Sequence, residues 1–192
     1  VQDTPFLQKS AQARTMPGGR HPNDIRAAAQ TEDGIIWLGT ADGLHRLENG
    51  TFQRVGDTAT GCSDIKCLEV DAVGTLWVGT GLTLSSRSSG DVWALHLTDT
   101  WDLGAVTAVL SSENALLVAL SGSGPHTVVH GQPKVVSDLY PSGKQIYRIV
   151  QADTSILIAG ESGVVIATQD LSIVSHKLES HQVRDVYLDG SV

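Results

Sequence analysis

The sequence predicts an all-β fold, a β-propeller with four blades of about 40 residues and the start of a fifth. Short apolar segments alternate with turn-forming residues, and four such segments fit into each repeat. Asn49-Gly50 separates two of them, and this dipeptide is the strongest short hairpin signal because a type I′ turn requires positive φ at both central residues. No segment shows the sustained i, i+3, i+4 apolar spacing of an amphipathic helix. Helical solenoids of similar repeat length are therefore excluded.

The repeat is clearest around two tryptophans. The motif DGIIWLGT around Trp37 returns as VGTLWVGT around Trp77, and the two tryptophans are about 40 positions apart, the period of a propeller blade. The same step reaches Leu117 and Leu157, which occupy the equivalent slot in two weaker copies. We expect these four side chains to be buried in the cores between blades. A tryptophan also serves as a sugar-stacking platform in some proteins, but its return in successive repeats favours a core role.

Two glycines belong to the same predicted core. Gly39 and Gly79 each follow the tryptophan by two positions, which places glycine and tryptophan on one face of a strand. A residue without Cβ at that place lets the next blade approach closely. Both glycines are therefore interpreted as packing positions.

The period divides the chain into an N-terminal segment and a propeller. The predicted units are 1–23 for the N-terminal segment and 24–63, 64–103, 104–143, 144–182 and the partial 183–192 for the blades. An arc of four blades leaves two apolar blade faces and their edge strands unprotected. Closure of the ring requires strands from residues 1–20 or from a second chain, and both alternatives stay open.

Composition excludes several classes of protein. The net charge is -8, and no cluster of Lys and Arg appears, so a nucleic-acid-binding role is not expected. No apolar run approaches the roughly 18–20 residues that span a bilayer. P-loop, nucleophile-elbow and HExxH motifs are all missing from the sequence, and we expect neither a cofactor nor a catalytic residue of those kinds.

The cysteines and histidines give little evidence for a disulfide or a metal site. Cys62 and Cys67 either close a small disulfide ring in an oxidising compartment or are two independent thiols, one in a loop and one on a strand. His126 and His130 share a strand face, but no third ligand is evident, so solvent-facing histidines are favoured over a metal site.

The first repeat resembles a known family. The segments NDIR, DGIIWLGTADGLHR and GTF, within residues 23–55, are similar to the two-component-regulator propeller repeat. The similarity is close there, good in residues 63–80, and reduced to an apolar pattern beyond residue 104. The repeat builds the periplasmic sensor regions of many bacterial membrane receptors. The resemblance implies a propeller fold and an extracytoplasmic, ligand-sensing role, with glycan fragments as frequent ligands.

One set of residues is a candidate ligand site. In each repeat the position after the first apolar residue of the first strand falls near the central channel, where the innermost strands of a propeller lie. Three or four cations converging there would hold a carboxylate or another anion. The alternative is that they are ordinary polar residues on the wet face of a first strand. The residues are Arg26, Lys66, Val106, Tyr147 (or Arg148) and Arg184.

The leading hypothesis is a non-enzymatic ligand-binding or sensing propeller, periplasmic or secreted, for an anionic glycan or another small carboxylate. A protein–protein interaction scaffold and a propeller-fold polysaccharide lyase or hydrolase are the alternatives, because one fold hosts all three functions. Paired carboxylates at the channel mouth would favour the enzyme. A basic ring with aromatic residues would favour a ligand site, and a contiguous apolar rim would favour the scaffold.

Overall fold

The computed structural model is an arc of four propeller blades, each a four-stranded antiparallel sheet. It describes residues 24–55, 64–88, 93–97, 104–111, 116–129, 132–136, 139–141, 143–152, 154–179 and 181–186. All regular structure in these residues is β, which confirms the predicted fold class. None of the described segments forms a helix of the length and apolarity that a bilayer crossing needs.

Each blade is a meander in which sequential strands are neighbours. Blade one contains β1 (Ile25–Gln30), β2 (Ile36–Thr40), β3 (Gly43–Glu48) and β4 (Thr51–Arg54). Blade two contains β5 (Ile65–Val70), β6 (Leu76–Thr80), β7 (Leu84–Arg87) and β8 (Trp93–Leu97). Blade three contains β9 (Val106–Ser111), β10 (Leu116–Leu120), β11 (Gly124–Val129) and β12 (Gln132–Val135). Blade four contains β13 (Ile146–Ala152), β14 (Ser155–Gly160), β15 (Gly163–Thr168) and β16 (Ile173–Lys177).

The hairpin between β3 and β4 has the turn that its dipeptide predicts. Asn49 and Gly50 have φ of 50° and 77°, so both central residues adopt the left-handed conformation of a type I′ turn. Glycine adopts this conformation without strain, and asparagine tolerates it better than most residues.

The first strands of the blades, β1, β5, β9 and β13, pack side by side around the axis. Every one of them carries a register shift against its partner strand directly after its first residue. A bulge of this kind inserts one extra residue and re-aims its side chain. The inserted residues are Arg26, Lys66, Thr107 and Tyr147.

Three apolar clusters lie between successive blades. Trp37 is 0% exposed between blades one and two, Trp77 is 9% exposed between blades two and three, and Leu117 is 1% exposed between blades three and four. Leu157 occupies the same place in β14 but is only half-buried. The reason is that no described blade covers its face of blade four.

The glycines at the inter-blade contact have a steric reason. A Cβ added to Gly79 would lie 2.5 Å from Cys67 Sγ and 2.7 Å from Val106 Cγ1 of the next blade. Gly39 would collide in the same way with Ile65. Alanine fills the corresponding slots as Ala119 and Ala159, both buried in blades three and four.

The tryptophans also anchor the turn that precedes their strand. The indole Nε1 of Trp77 donates a hydrogen bond to Asp71 Oδ2 at 2.9 Å, and Asp71 Oδ1 accepts from the backbone N–H of Thr75 at 2.8 Å. In blade one the indole of Trp37 donates to Thr31 Oγ1 at 3.0 Å. In blades one and two, the tryptophan side chain therefore links an inter-blade core to a turn.

Some predictions concern residues outside the described ranges. Residues 1–20, Cys62 and the end of the segment 183–192 belong to this group, so closure by the N-terminal segment, the Cys62–Cys67 disulfide and the partial fifth blade stay predictions. The start of that last segment is described, and Val183 N donates to Gly160 O at 2.9 Å. Asp64 N donates to Ala41 O in the same way where blade one passes into blade two, at 2.8 Å.

Replacing Trp37 with alanine should lower the free energy of unfolding by about 3–5 kcal/mol, because a fully buried indole leaves a cavity between two blades. Leu157→Ala is the matched control at the half-buried slot, and it should cost no more than about 2 kcal/mol. Urea unfolding followed by tryptophan fluorescence and circular dichroism measures both values. Equal losses in the two variants would contradict the assignment of Trp37 to an inter-blade core.

Candidate functional site

A cavity of about 530 Å³ lies in the central channel, where the first strands of blades two, three and four come together. This volume is within the range of roughly 300–1,000 Å³ that is typical of small-molecule sites. Three blades and the segment after β16 line it. The polar lining consists of Glu69, Asp71, Ser111, Arg148 and Gln151, and the apolar lining includes Val70, Leu110, Val150 and Val186.

Strand alternation brings Glu69 into the cavity. Cys67 and Glu69 are two positions apart on β5, so they share the face that is directed at blade three. Cys67 Sγ lies 3.8 Å from Val106 O of that blade, and burial raises the pKa of its thiol to about 12. Two residues further along the same face of the strand, Glu69 lines the cavity.

Glu69 is the electrostatically unusual group of this cavity. Burial raises the pKa of its carboxyl to about 7, the positive charge of Arg148 opposes this rise, and the negative charge of Asp71 adds to it. Near neutral pH the side chain is therefore divided between its charged and neutral forms.

The two other charged groups of the cavity, Asp71 and Arg148, differ in the contacts that they make. Asp71 accepts hydrogen bonds from Trp77 Nε1 and from two backbone N–H groups of its own turn, so its carboxylate holds the turn together. Arg148 is nearly half exposed, and its Nε lies 3.6 Å from Asp185 Oδ1 at the mouth of the cavity. Arg148 is thus the cation that faces the channel between Glu69 and Asp185.

A second polar group, the rim cluster, lies where β1 and β5 begin. It consists of Asp24, Arg26, Asp64 and Lys66. Arg26 Nη2 lies 3.1 Å from Asp24 Oδ2, its Nη1 also pairs with Asp64, and Lys66 Nζ lies 3.0 Å from Asp64 Oδ2. Two cations and two carboxylates balance each other in this cluster.

The electrostatics of Asp64 follow from this pairing. Burial opposes its ionisation, but the hydrogen bonds and positive charges of Lys66 and Arg26 outweigh that cost and hold the pKa of Asp64 below its ordinary value. Asp64 is therefore the carboxylate that joins blade one to blade two at the rim.

A third group forms around Tyr147 at the start of β13. Gln182 Nε2 donates a hydrogen bond to the Tyr147 hydroxyl at 2.6 Å, and the Arg184 guanidinium lies 5.6 Å from the centroid of the ring. The second contact has cation–π geometry. An aromatic ring and a guanidinium are thus adjacent at the junction that follows blade four.

The predicted ring of cations is divided between two places. Arg26, Lys66 and Tyr147 occupy equivalent bulge positions at the rim, whereas Arg148 lies in the cavity, one residue further along. Val106 is 2% exposed and packs between blades, so its assignment to the ring is wrong. The bulge residue of blade three is Thr107.

Sequence reasoning missed the polar residues at the far ends of the first strands. Glu69, Ser111 and Gln151 line the cavity although no motif contains them. The one available signal is Glu69 itself, a carboxylate within the otherwise apolar stretch Leu68–Val70 of an innermost strand.

The histidine hypothesis requires a correction. His126 is 1% exposed, and its Nδ1 lies 3.1 Å from Gly124 O, so it does not face solvent as predicted. It lies beside Val118, whose side chain is in the core between blades two and three. His130 lies outside the described residues. Within the described ranges, no group of three or more His, Cys, Asp or Glu side chains is arranged to hold a metal ion.

Fold and channel together define the class of protein. Sequential four-stranded sheets around an axis that their first strands line make this chain a β-propeller. More particularly, residues 19–42 in the first repeat match the family model described as Two component regulator propeller. The resemblance inferred from the tryptophan motif is confirmed for that repeat.

Solved structures show the same fold. The extracellular domain of a protein described as a one component system from B. thetaiotaomicron has a TM-score of 0.69 and 16% identity, over 91% of this chain and 26% of that one. The extracellular domain of a second protein from this bacterium, described as a hybrid two component system, has a TM-score of 0.65 and 18% identity, over 88% of this chain and 26% of that one. The chain thus spans 26% of the length of each domain.

The fold also occurs in an enzyme. Virginiamycin B lyase from Staphylococcus aureus has a TM-score of 0.61 and 10% identity, over 81% of this chain and 56% of that one. At such identities the likeness shows the fold alone, and function depends on the site. No curated protein sequence matches this chain.

The rim cluster predicts a modest, pH-dependent contribution to stability. Asp64→Asn should lower the free energy of unfolding at pH 7 by at most about 1 kcal/mol, since the side chain is 44% exposed and solvent screens the pairs. Because the folded-state pKa of Asp64 is depressed, this contribution is present above about pH 4 and is lost as the pH falls through the folded-state value. Urea unfolding at several pH values measures it.

Asp24→Asn is the control for this experiment, since among the described residues Asp24 pairs with Arg26, whereas Asp64 pairs with both Arg26 and Lys66, and the loss should therefore be smaller. A difference between wild type and Asp64→Asn that grows in acid would contradict the sign of the effect.

Proposed function

We propose that this chain is the ligand-binding part of a non-enzymatic, extracytoplasmic sensor propeller. The observation that carries the proposal is the channel cavity, which is large enough for a small ligand and combines one facing cation, Arg148, with two carboxyl groups, uncharged polar groups and apolar walls. The likeness to extracellular domains supports a location in the periplasm or outside the cell.

The proposed ligand is an anionic glycan fragment or another small carboxylate. Arg148 supplies a guanidinium that forms charge-assisted hydrogen bonds to a carboxylate. Ser111 and Gln151 offer partners for hydroxyl groups, and Val150 offers an apolar surface for the C–H face of a sugar ring. At the rim, Arg26 and Lys66 pair with Asp24 and Asp64 at 3.1 Å and 3.0 Å, whereas Arg148 Nε lies 3.6 Å from Asp185 Oδ1, and the looser pairing of Arg148 favours the cavity over the rim cluster as the main anion site.

Tyr147 and Arg184 extend this hypothesis to longer ligands. Their aromatic and cationic surfaces lie at the opposite end of β13 from Gln151, and an aromatic ring is a common platform for a sugar. A glycan that reached through the channel would contact both places.

A polysaccharide hydrolase is the second candidate because two carboxylates, Glu69 and Asp71, line one cavity. Glycoside hydrolases use such a pair as acid and base or nucleophile. Here Asp71 already accepts three hydrogen bonds from its own turn and from Trp77. A carboxylate held in this way is poorly suited to attack a sugar or to activate water, and binding without catalysis is the better account.

A second chain is the proposed partner that completes the ring. Ile25 and Ile36 of blade one are 52% and 37% exposed, whereas their equivalents Ile65 and Leu76 in blade two are both 0% exposed. The same inter-blade surface is thus repeated within the chain but uncovered at blade one. We propose that strands of a second chain pack there in the manner of the internal interfaces.

Native mass spectrometry and size-exclusion chromatography test the partner. The chain should associate, and Ile25→Lys together with Ile36→Lys should abolish the association while the chain stays folded by circular dichroism. A stable, monodisperse monomer would contradict the second chain and would favour coverage by residues 1–20.

Calorimetry with oligogalacturonides, and with neutral oligosaccharides of the same length, tests the ligand class. Arg148→Gln should weaken binding of the acidic ligand by roughly tenfold to a hundredfold, because a charge-assisted hydrogen bond contributes about 1.5–3 kcal/mol. Binding to wild type should also weaken as salt screens the partly exposed pair. The matched control is Arg26→Gln at the rim cluster, for which we expect little change.

Three results would contradict this proposal. Equal affinity for neutral and acidic glycans would contradict the proposal that the ligand is an anion. A loss of affinity in Arg26→Gln but not in Arg148→Gln would indicate that the ligand binds at the rim cluster. Release of shortened or unsaturated sugars during the titration would favour the hydrolase or lyase.

A further inference from the structure

The position of Glu69 has a consequence for the ligand that the cavity accepts. Its carboxyl group lies half-buried in a space that Arg148 faces from β13. A ligand carboxylate that pairs with Arg148 therefore enters a cavity that already contains an acidic group. Either the two carboxylates repel each other, or one of them carries a proton.

We propose, resting on the function proposed above, that Glu69 makes anion binding proton-linked, so that the cavity takes up a proton as a ligand carboxylate pairs with Arg148. In this arrangement the neutral Glu69 carboxyl donates a hydrogen bond to the ligand. Glu69 thereby selects ligands that offer a hydrogen-bond acceptor beside the carboxylate that pairs with Arg148.

The charges around Glu69 support this linkage. Along β5 and its following turn the other titratable groups are Lys66, which pairs with Asp64 at the rim, Cys67, which stays neutral, and Asp71, which raises the pKa of Glu69. From β13 the facing group is Arg148, and from the segment 181–186 it is Asp185, which contacts Arg148. The described part of β9 contributes the uncharged Leu110 and Ser111 to the cavity.

Ligand entry changes three contributions to the pKa of Glu69 in the same direction. The ligand adds a negative charge and excludes water, and both changes disfavour the ionised carboxylate. The ligand carboxylate also pairs with Arg148, whose positive charge otherwise lowers the pKa of Glu69. The pKa of Glu69, about 7 in the ligand-free protein, is therefore higher in the complex.

The sign of the effect follows. At a pH below the pKa of Glu69 in the ligand-free protein, Glu69 is protonated both with and without ligand, and the affinity for the ligand is constant. Above that pKa, binding requires proton uptake, and affinity falls by up to roughly tenfold per pH unit until the pKa of the complex is reached.

The experiment is calorimetry of the full chain with digalacturonate from pH 5.5 to pH 8.5, in two buffers of different ionisation enthalpy. Wild type should bind with flat affinity in acid and lose affinity above about pH 7, with net proton uptake in that range. Glu69→Gln, which is neutral at every pH and similar in shape, should bind at pH 8.5 as tightly as wild type binds at pH 5.5. Asp185→Asn is the matched control, and it should keep the pH dependence.

The outcomes separate this inference from the proposed function. Binding that depends on Arg148 but has the same pH profile in wild type and Glu69→Gln overturns the proton linkage and leaves the anion site in place. The lack of any binding to digalacturonate across the pH range, in wild type and in both variants, overturns the site and the linkage together.

Discussion

The close approach of neighbouring blades at one glycine or alanine per blade is the constraint on which the rest of the structure depends. At Gly79 a Cβ would overlap both Cys67 of the same blade and Val106 of the next. The contact brings first strands side by side around the axis, and Trp77, two positions away, fills the space behind it and fastens the turn at Asp71. The width of the channel, and with it the cavity, follows from this packing.

The cationic side chains along the channel have different surroundings at its two ends. At the rim, Arg26 and Lys66 share Asp64, and the pairing joins two blades instead of leaving positive charge for a ligand. In the cavity, Arg148 faces a carboxyl group whose burial resists ionisation. The same residue types thus stabilise the fold at one end of the first strands and form the candidate site at the other.

The degree to which the site was predictable differs from residue to residue. The bulge positions Arg26 and Lys66 were found because they follow an apolar residue at the start of a repeat. The same rule chose Val106 instead of Thr107, since a bulge is a feature of strand pairing and leaves no mark in a weak repeat. The buried His126 was missed for a related reason, because its burial depends on the neighbouring blade.

The sequence by itself determined the repeat, the strands and the slots of Trp37 and Trp77. These features can be recognised in the linear sequence, because the period of about 40 residues and the alternation of side chains along a strand depend only on the order of residues. The tertiary structure alone decided that Arg26 meets Asp64, 38 positions away, and that Glu69 shares a cavity with Arg148. The physical reason is that these contacts cross between blades, and the distance between blades is set by how closely their sheets pack around the axis.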